Sequence, residues 1–132
     1  MLSAQYSVLR GEGSGRAASA VVGGFRQLDV YRRSAALSDQ IRRAVVGWPS
    51  FDRWTVGQQL VRAADSIGAN IAEGCGRDGR RDQRRLFFIA RGSAWELEHW
   101  LDRAVARDLP VPNGATSEAS ERSKMLSGLA RR

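Results

Sequence analysis

Cysteine is nearly missing from this 132-residue chain. Cys75 stands alone, so no disulfide can form within the chain, and a reducing cytoplasm is the default setting. Proline is equally sparse, with Pro49, Pro110 and Pro112 the only three. No apolar run approaches the ~18–20 residues of a membrane span, which excludes a transmembrane role. Residues 1–23 carry Arg10, Glu12 and Arg16 among scattered glycines and lack the continuous apolar stretch of a signal peptide. A soluble, cytoplasmic protein is expected. No segment alternates apolar and polar residues as a half-buried strand would, which leaves helices.

Histidine is also scarce. His99 is the only one, and Glu96–His99 has the E-x-x-H spacing that di-iron bundles take from two helices. It occurs once, with no second glutamate pair, so neither metal nor cofactor is expected. Asn70 and Glu73 have no His, Cys or Ser partner at a spacing suited to a nucleophile and its base. The chain does not read as an enzyme. Cys75 is either a thiolate favoured by Arg77 or an inert thiol near a helix end, and the inert reading is preferred.

Arginine, by contrast, is abundant, supplying 20 of the 21 basic residues against 14 acidic ones, for a net charge of +7. A surplus of this size points to an acidic partner, most often nucleic acid. Five arginines, Arg77, Arg80, Arg81, Arg84 and Arg85, fall within nine residues that hold only Asp78 and Asp82 as counter-charges. Guanidinium groups match phosphate oxygens bidentately, and several at one helix terminus can follow a backbone. A helix N-terminus disfavours cations, so the placement suggests an external anion or a pairing across subunits. Arg32, Arg33, Arg42 and Arg43 form two pairs ten residues apart on the first helix and add to the same basic surface. The competing reading for all nine is a solvated helix face.

The length fits one domain with one modest core. The Gly/Ser/Ala-rich residues 1–23 read as a disordered extension, and 24–132 as the folded domain. A first helix is expected over 25–47, where Val30, Leu37 and Ala44 repeat every seven residues and interleave with Ser34, Ile41 and Trp48. Gly47-Trp48-Pro49-Ser50 ends it. A second helix runs over 55–75 with Ser50 or Asp52 as a candidate cap. Its apolar stripe is Val56, Leu60, Ala63, Ala64, Ile67 and Ile71, flanked by a small or polar stripe of Gln59, Ala63, Ser66 and Asn70, with Glu73-Gly74 as its stop. A third helix, over 80–107, buries Leu86, Ala90, Ser93, Leu97, Trp100, Leu101 and Ala104. Pro110, Pro112, Asn113 and Gly114 break the chain before a short fourth helix over 117–130, which uses Met125, Leu126 and Leu129.

Phe88 and Trp95 point away from the third helix's main stripe. With Trp48 and Trp54 they could stack bases in a single-strand groove. Burial against a second subunit is the commoner fate of such residues and is preferred, making Phe88 and Trp95 the expected oligomer interface.

The pattern Q-L-x-R-A-x-x-S-I-x-A-N-I-A-E-G-x-G-R over 59–77 resembles the four-helix-bundle proteins encoded by intervening sequences within bacterial 23S rRNA genes, and the likeness extends over about 25–130. It implies an all-α, antiparallel up-down-up-down four-helix bundle. It also implies structural roles for Gln59, Ser66, Asn70, Glu73 and Gly74, and a homo-oligomer, pentameric in the family. Gly68 stands where the family often has proline, which implies a weaker kink, and the first 23 residues exceed the family's usual start. A related group of bundles serves as the accessory protein of diversity-generating retroelements, beside a reverse transcriptase and its template RNA.

Together these readings favour a non-catalytic, homo-oligomeric basic scaffold that binds nucleic acid, structured RNA before DNA, beside an RNA-processing or reverse-transcribing enzyme. The alternative is a protein–protein assembly module that binds no nucleic acid.

Overall fold

The computed structural model describes residues 24–132, and the first 23, read above as a disordered extension, lie outside the described residues. After a 3-10 turn at Phe25–Gln27 come α1 (Asp29–Val45), α2 (Ser50–Trp54), α3 (Val56–Cys75), α4 (Arg80–Ala106) and α5 (Ala115–Ala130). There is no strand among the described residues. The four long helices form the expected bundle. Each of α1, α3, α4 and α5 packs against the next, and a weaker α1–α5 contact closes the ring of helices.

The α3 stripe is buried at every expected position, from Val56 to Ile71. Apolar groups recurring every 3.6 residues leave one face of the cylinder that water solvates poorly, and bundling removes it from water. Glycines at both ends of α3 set its distance from its neighbours. A Cβ on Gly57 would sit 2.6 Å from Val45 Cγ1, and one on Gly74 2.8 Å from the Phe87 ring. Gly74 is therefore a close-packing residue rather than a stop: the helix continues to Cys75 and Gly76 ends it.

The corner between α1 and α3 differs from expectation. Ser50 and Asp52 do not cap α3, because they belong to a separate short helix, α2. Thr55 breaks the two helices apart, and its hydroxyl donates back to the Phe51 carbonyl at 2.8 Å. Trp48 is buried beneath this corner, where its indole N–H donates to the Pro110 carbonyl at 2.8 Å. One buried ring thus ties the first interhelical turn to the last.

On α4 the buried set includes Phe87 and Ala94, while Trp100 is only half-buried. Its C-terminus closes with Asp108 in the left-handed region (φ 61) and the Leu109 amide donating to the Ala104 carbonyl at 2.9 Å. This is a Schellman arrangement, and Leu109 buries its side chain as the accompanying apolar contact. Helix α5 begins two residues earlier than expected, at Ala115, and buries a charged residue, Arg122, that is 0 % exposed. Two partly exposed carboxylates, Glu118 and Glu121, pair with its guanidinium, while its Nε has no partner. No described helix is long and apolar enough to cross a membrane.

Candidate nucleic-acid interface

The arginine cluster sits on an exposed corner of the bundle. Arg77 follows the C-terminus of α3, and Arg80, Arg81, Arg84 and Arg85 occupy the first two turns of α4. Gly76 to Gly79 make the reversal between the helices, so both sides of the corner face water. Asp82 acts as a hub, lying 3.4 Å from Arg77 and 3.0 Å from Arg85. Glu73 also pairs with Arg77, and the Arg80 guanidinium donates to the Gln83 side chain at 3.2 Å. The hydrogen bond to Glu73, with the charge of Asp82 beside it, holds the Arg77 guanidinium above its ordinary value.

Arg81 and Arg84 form no ion pair or hydrogen bond with any described residue. They project from the N-terminal turns of α4, where the helix dipole disfavours cations. Asp82, also in the first turn, offsets that cost in part. With Arg85, Phe88 and Ile89 they line a shallow depression whose rim is cationic and whose floor is apolar.

The second arginine group divides. Arg32 and Arg33 lie in the first turns of α1, and antiparallel packing puts them at the same end of the bundle as the α3–α4 corner. Arg33 is already engaged, with Asp29 at 3.0 Å and Glu121 at 3.5 Å, and Arg32 donates to the Gln27 carbonyl at 3.2 Å. Arg42 and Arg43 lie in the last turn of α1, ten residues and so about 15 Å along the axis from the first pair. There they suit the helix dipole. The nine arginines thus divide between the two ends of the bundle. The cluster on α4 is the concentrated site.

The polar residues beside α3 hold the scaffold. The Asn70 amide donates to the Ser66 carbonyl (2.8 Å) and hydroxyl (3.1 Å), within its own helix. Ser66 in turn meets the Ser93 hydroxyl of α4 at 2.7 Å. A polar chain therefore crosses the α3–α4 seam near the middle of both helices. Gln59 is half-buried two turns before Ser66 on the same face of α3. Gly68 faces Tyr31 of α1, with a Cβ there falling 3.4 Å from the ring. Burial pushes the Cys75 thiol up to about 11, so it stays protonated at neutral pH despite Arg77 two residues on. The inert reading of this cysteine is the one the site supports.

The aromatic residues fall into three settings. Trp48 is buried and offers no stacking surface. On the outer side of α4, the Arg91 guanidinium lies 4.6 Å from the Phe88 ring centre and 5.2 Å from that of Trp95, and it donates to the Ser127 hydroxyl of α5 at 3.1 Å. Phe88 is half-buried, whereas Trp95 is 59 % exposed. At the far end of the bundle, Phe51 (78 % exposed) and Trp54 (66 %) open beside the half-buried Trp100. This second patch was not expected from sequence. His99 is exposed and meets the Trp100 ring edge-on at 4.8 Å, and no group of described residues could hold a metal ion.

A model of the family described as 23S rRNA-intervening sequence protein matches residues 26–128. Among solved structures, a protein of unknown function from the S23 ribosomal protein family of Bacteroides thetaiotaomicron VPI-5482 superposes with a TM-score of 0.69. The two chains are 23 % identical, and the alignment covers 78 % of this chain and 99 % of the other. At that identity the likeness speaks for the fold alone. No curated protein matches the chain.

Proposed function

Because the chain belongs to the 23S rRNA-intervening sequence protein family, we propose that it is a non-catalytic, homo-oligomeric basic scaffold that binds nucleic acid, structured RNA before DNA. The observation that carries this reading is the α3–α4 corner, where Arg81 and Arg84 are exposed beside three further arginines and form no ion pair with any described residue. Exposed guanidinium groups held on a rigid helix offer phosphate a bidentate partner without the cost of breaking an existing ion pair. No recognition helix with a base-reading side-chain set accompanies them, so backbone and shape are the features to be read, as in structured RNA. The expected partner is an enzyme that processes or reverse-transcribes the RNA the scaffold holds. The non-catalytic reading is supported by the Cys75 thiol, which burial keeps protonated at neutral pH.

Fluorescence anisotropy with a labelled RNA hairpin and a DNA duplex of the same stem sequence tests the proposal. Binding to both at low salt, tighter for RNA, is expected. Failure to bind either ligand refutes it and favours the second reading, a protein–protein assembly module. The exposed Phe51, Trp54 and Trp95 are the observation behind that alternative, since apolar groups of this size seldom stay wet without a partner.

A further inference from the structure

Two surfaces on opposite sides of the bundle complement each other in charge. The helices follow the order α1–α3–α4–α5 around the bundle, so the α1/α3 seam lies across from the α4/α5 seam. On the α4/α5 side stands the ridge of Phe88, Arg91 and Trp95, tied to α5 through Ser127. It is bulky, aromatic and cationic. Neither Arg91 nor the Trp95 indole has a charged or hydrogen-bonding partner that would neutralise the ridge, apart from the Ser127 hydroxyl.

On the α1/α3 side lies a groove with about 200 Å³ of free space, several times the ~30 Å³ share of one water molecule. Its walls combine the Phe25 and Tyr31 rings with small residues, among them Ala35, Gly68 and Ala69. Its edges carry two carboxylates, Asp39 and Asp65, which form no ion pair with any described residue although the chain is strongly basic. Asp65 accepts a hydrogen bond from Ser38. Ser34, 1 % exposed, also lines the groove, and its hydroxyl has no partner.

We propose that this groove seats the Phe88–Arg91–Trp95 ridge of a second copy of the chain, with Arg91 meeting the Asp39 and Asp65 carboxylates. The proposal deepens the homo-oligomer reading above and rests on it. The rings of the ridge meet the Phe25 and Tyr31 rings and the small residues beside them, and its one cation enters the acidic groove. Because the two surfaces differ, the contact is heterologous. Copies add head to tail, and the assembly closes into a ring or runs on as a filament. The nucleic-acid corner at Arg77–Arg85 adjoins the contact through Phe88, which lines both, and is repeated once per copy.

Light scattering coupled to size exclusion tests this with the full chain. Trp95→Arg spoils the ridge and leaves the groove intact, while Ala69→Trp fills the groove and leaves the ridge intact. Both positions are exposed, so each variant should keep its helical circular dichroism. Wild type should run at several times 14.5 kDa, each variant alone at 14.5 kDa, and an equal mixture at twice that mass and no higher. The mixture stops at two because each pair exposes one spoiled ridge and one filled groove. If Ala69→Trp keeps the wild-type mass, or if the mixture stays monomeric, the groove is not the seat, although the oligomer itself stands. A monomeric wild type overturns the oligomer reading and this contact together.

Discussion

Replacing Arg81 and Arg84 together by alanine removes two guanidinium groups that hold no partner among the described residues, so the change should register in binding rather than in folding. Each phosphate contact releases about 0.9 counterion on duplex DNA and about 0.7 on a single strand. Losing two contacts per engaged protomer therefore lowers the slope of log K against log salt by about 1.4 to 1.8. Between roughly 50 and 200 mM salt, a fourfold change, the wild type should lose about 7- to 12-fold more affinity than the variant. The defect should be largest at low salt and similar for unrelated sequences, because phosphate contacts carry no base information. Arg85→Ala should do less, since Asp82 already holds that guanidinium at 3.0 Å. Arg42→Ala with Arg43→Ala, at the other end of α1, should leave the slope nearly unchanged. Anisotropy titrations at four or five salt concentrations read all of these. A double variant whose slope equals that of wild type would show that the corner does not touch phosphate.

Ile67→Asp or Leu97→Asp should unfold the domain, because an unpaired charge in a seam costs several kcal/mol against a whole stability of ~5–15 kcal/mol. Glu73→Gln, which loses one exposed pair with Arg77, should melt within a few degrees of wild type, and a thermal scan separates the cases. Glu118→Gln combined with Glu121→Gln strands the buried Arg122 charge and should cost ~3–5 kcal/mol in a urea melt, while Arg122→Met should be neutral or stabilising. The opposite order would mean that the guanidinium reaches water. Cys75 should react slowly with a maleimide at pH 7, and its rate should climb about tenfold per pH unit until the pH passes its value near 11. A plateau below pH 8 would contradict the burial of this thiol.

Residues whose role follows from local spacing were legible in sequence, and those set by a neighbour were not. Val56 to Ile71 declare the buried face of α3 because a 3.6-residue period needs no partner to define it. Phe87 and Phe88 are adjacent and only about 100° apart on α4, so either could face inward. The choice of Phe87 depends on Gly74 across the seam, where the missing Cβ makes room for that ring. The same glycine read as a helix stop because glycine commonly ends helices, and only the facing ring shows its other use. Helix α2 has five residues, too few to display a period. Arg122 defeated expectation by residue type, since arginine is seldom fully buried. Its position was nevertheless readable, because 115, 119, 122, 126 and 130 follow helical spacing and the other four are apolar and buried.

The arginine corner shows the same division at the level of the site. Its composition was visible as five cations in nine residues, but the pairing that separates them was not. Asp82 and Glu73 take up Arg77 and Asp82 also holds Arg85, while Arg80 bonds only the neutral Gln83, so the charge left for a partner rests mainly on Arg80, Arg81 and Arg84. Exposed pairs of this kind are worth little and open readily, so an arriving phosphate can recruit Arg77 and Arg85 after the first three have engaged. Binding by that order would begin with three contacts and grow to four or more. A salt slope steeper than three contacts explain, falling by more than their share when Asp82 is replaced by the longer, more mobile Glu, would be its signature in the same titrations. A slope untouched by Asp82→Glu would confine the contact to Arg80, Arg81 and Arg84.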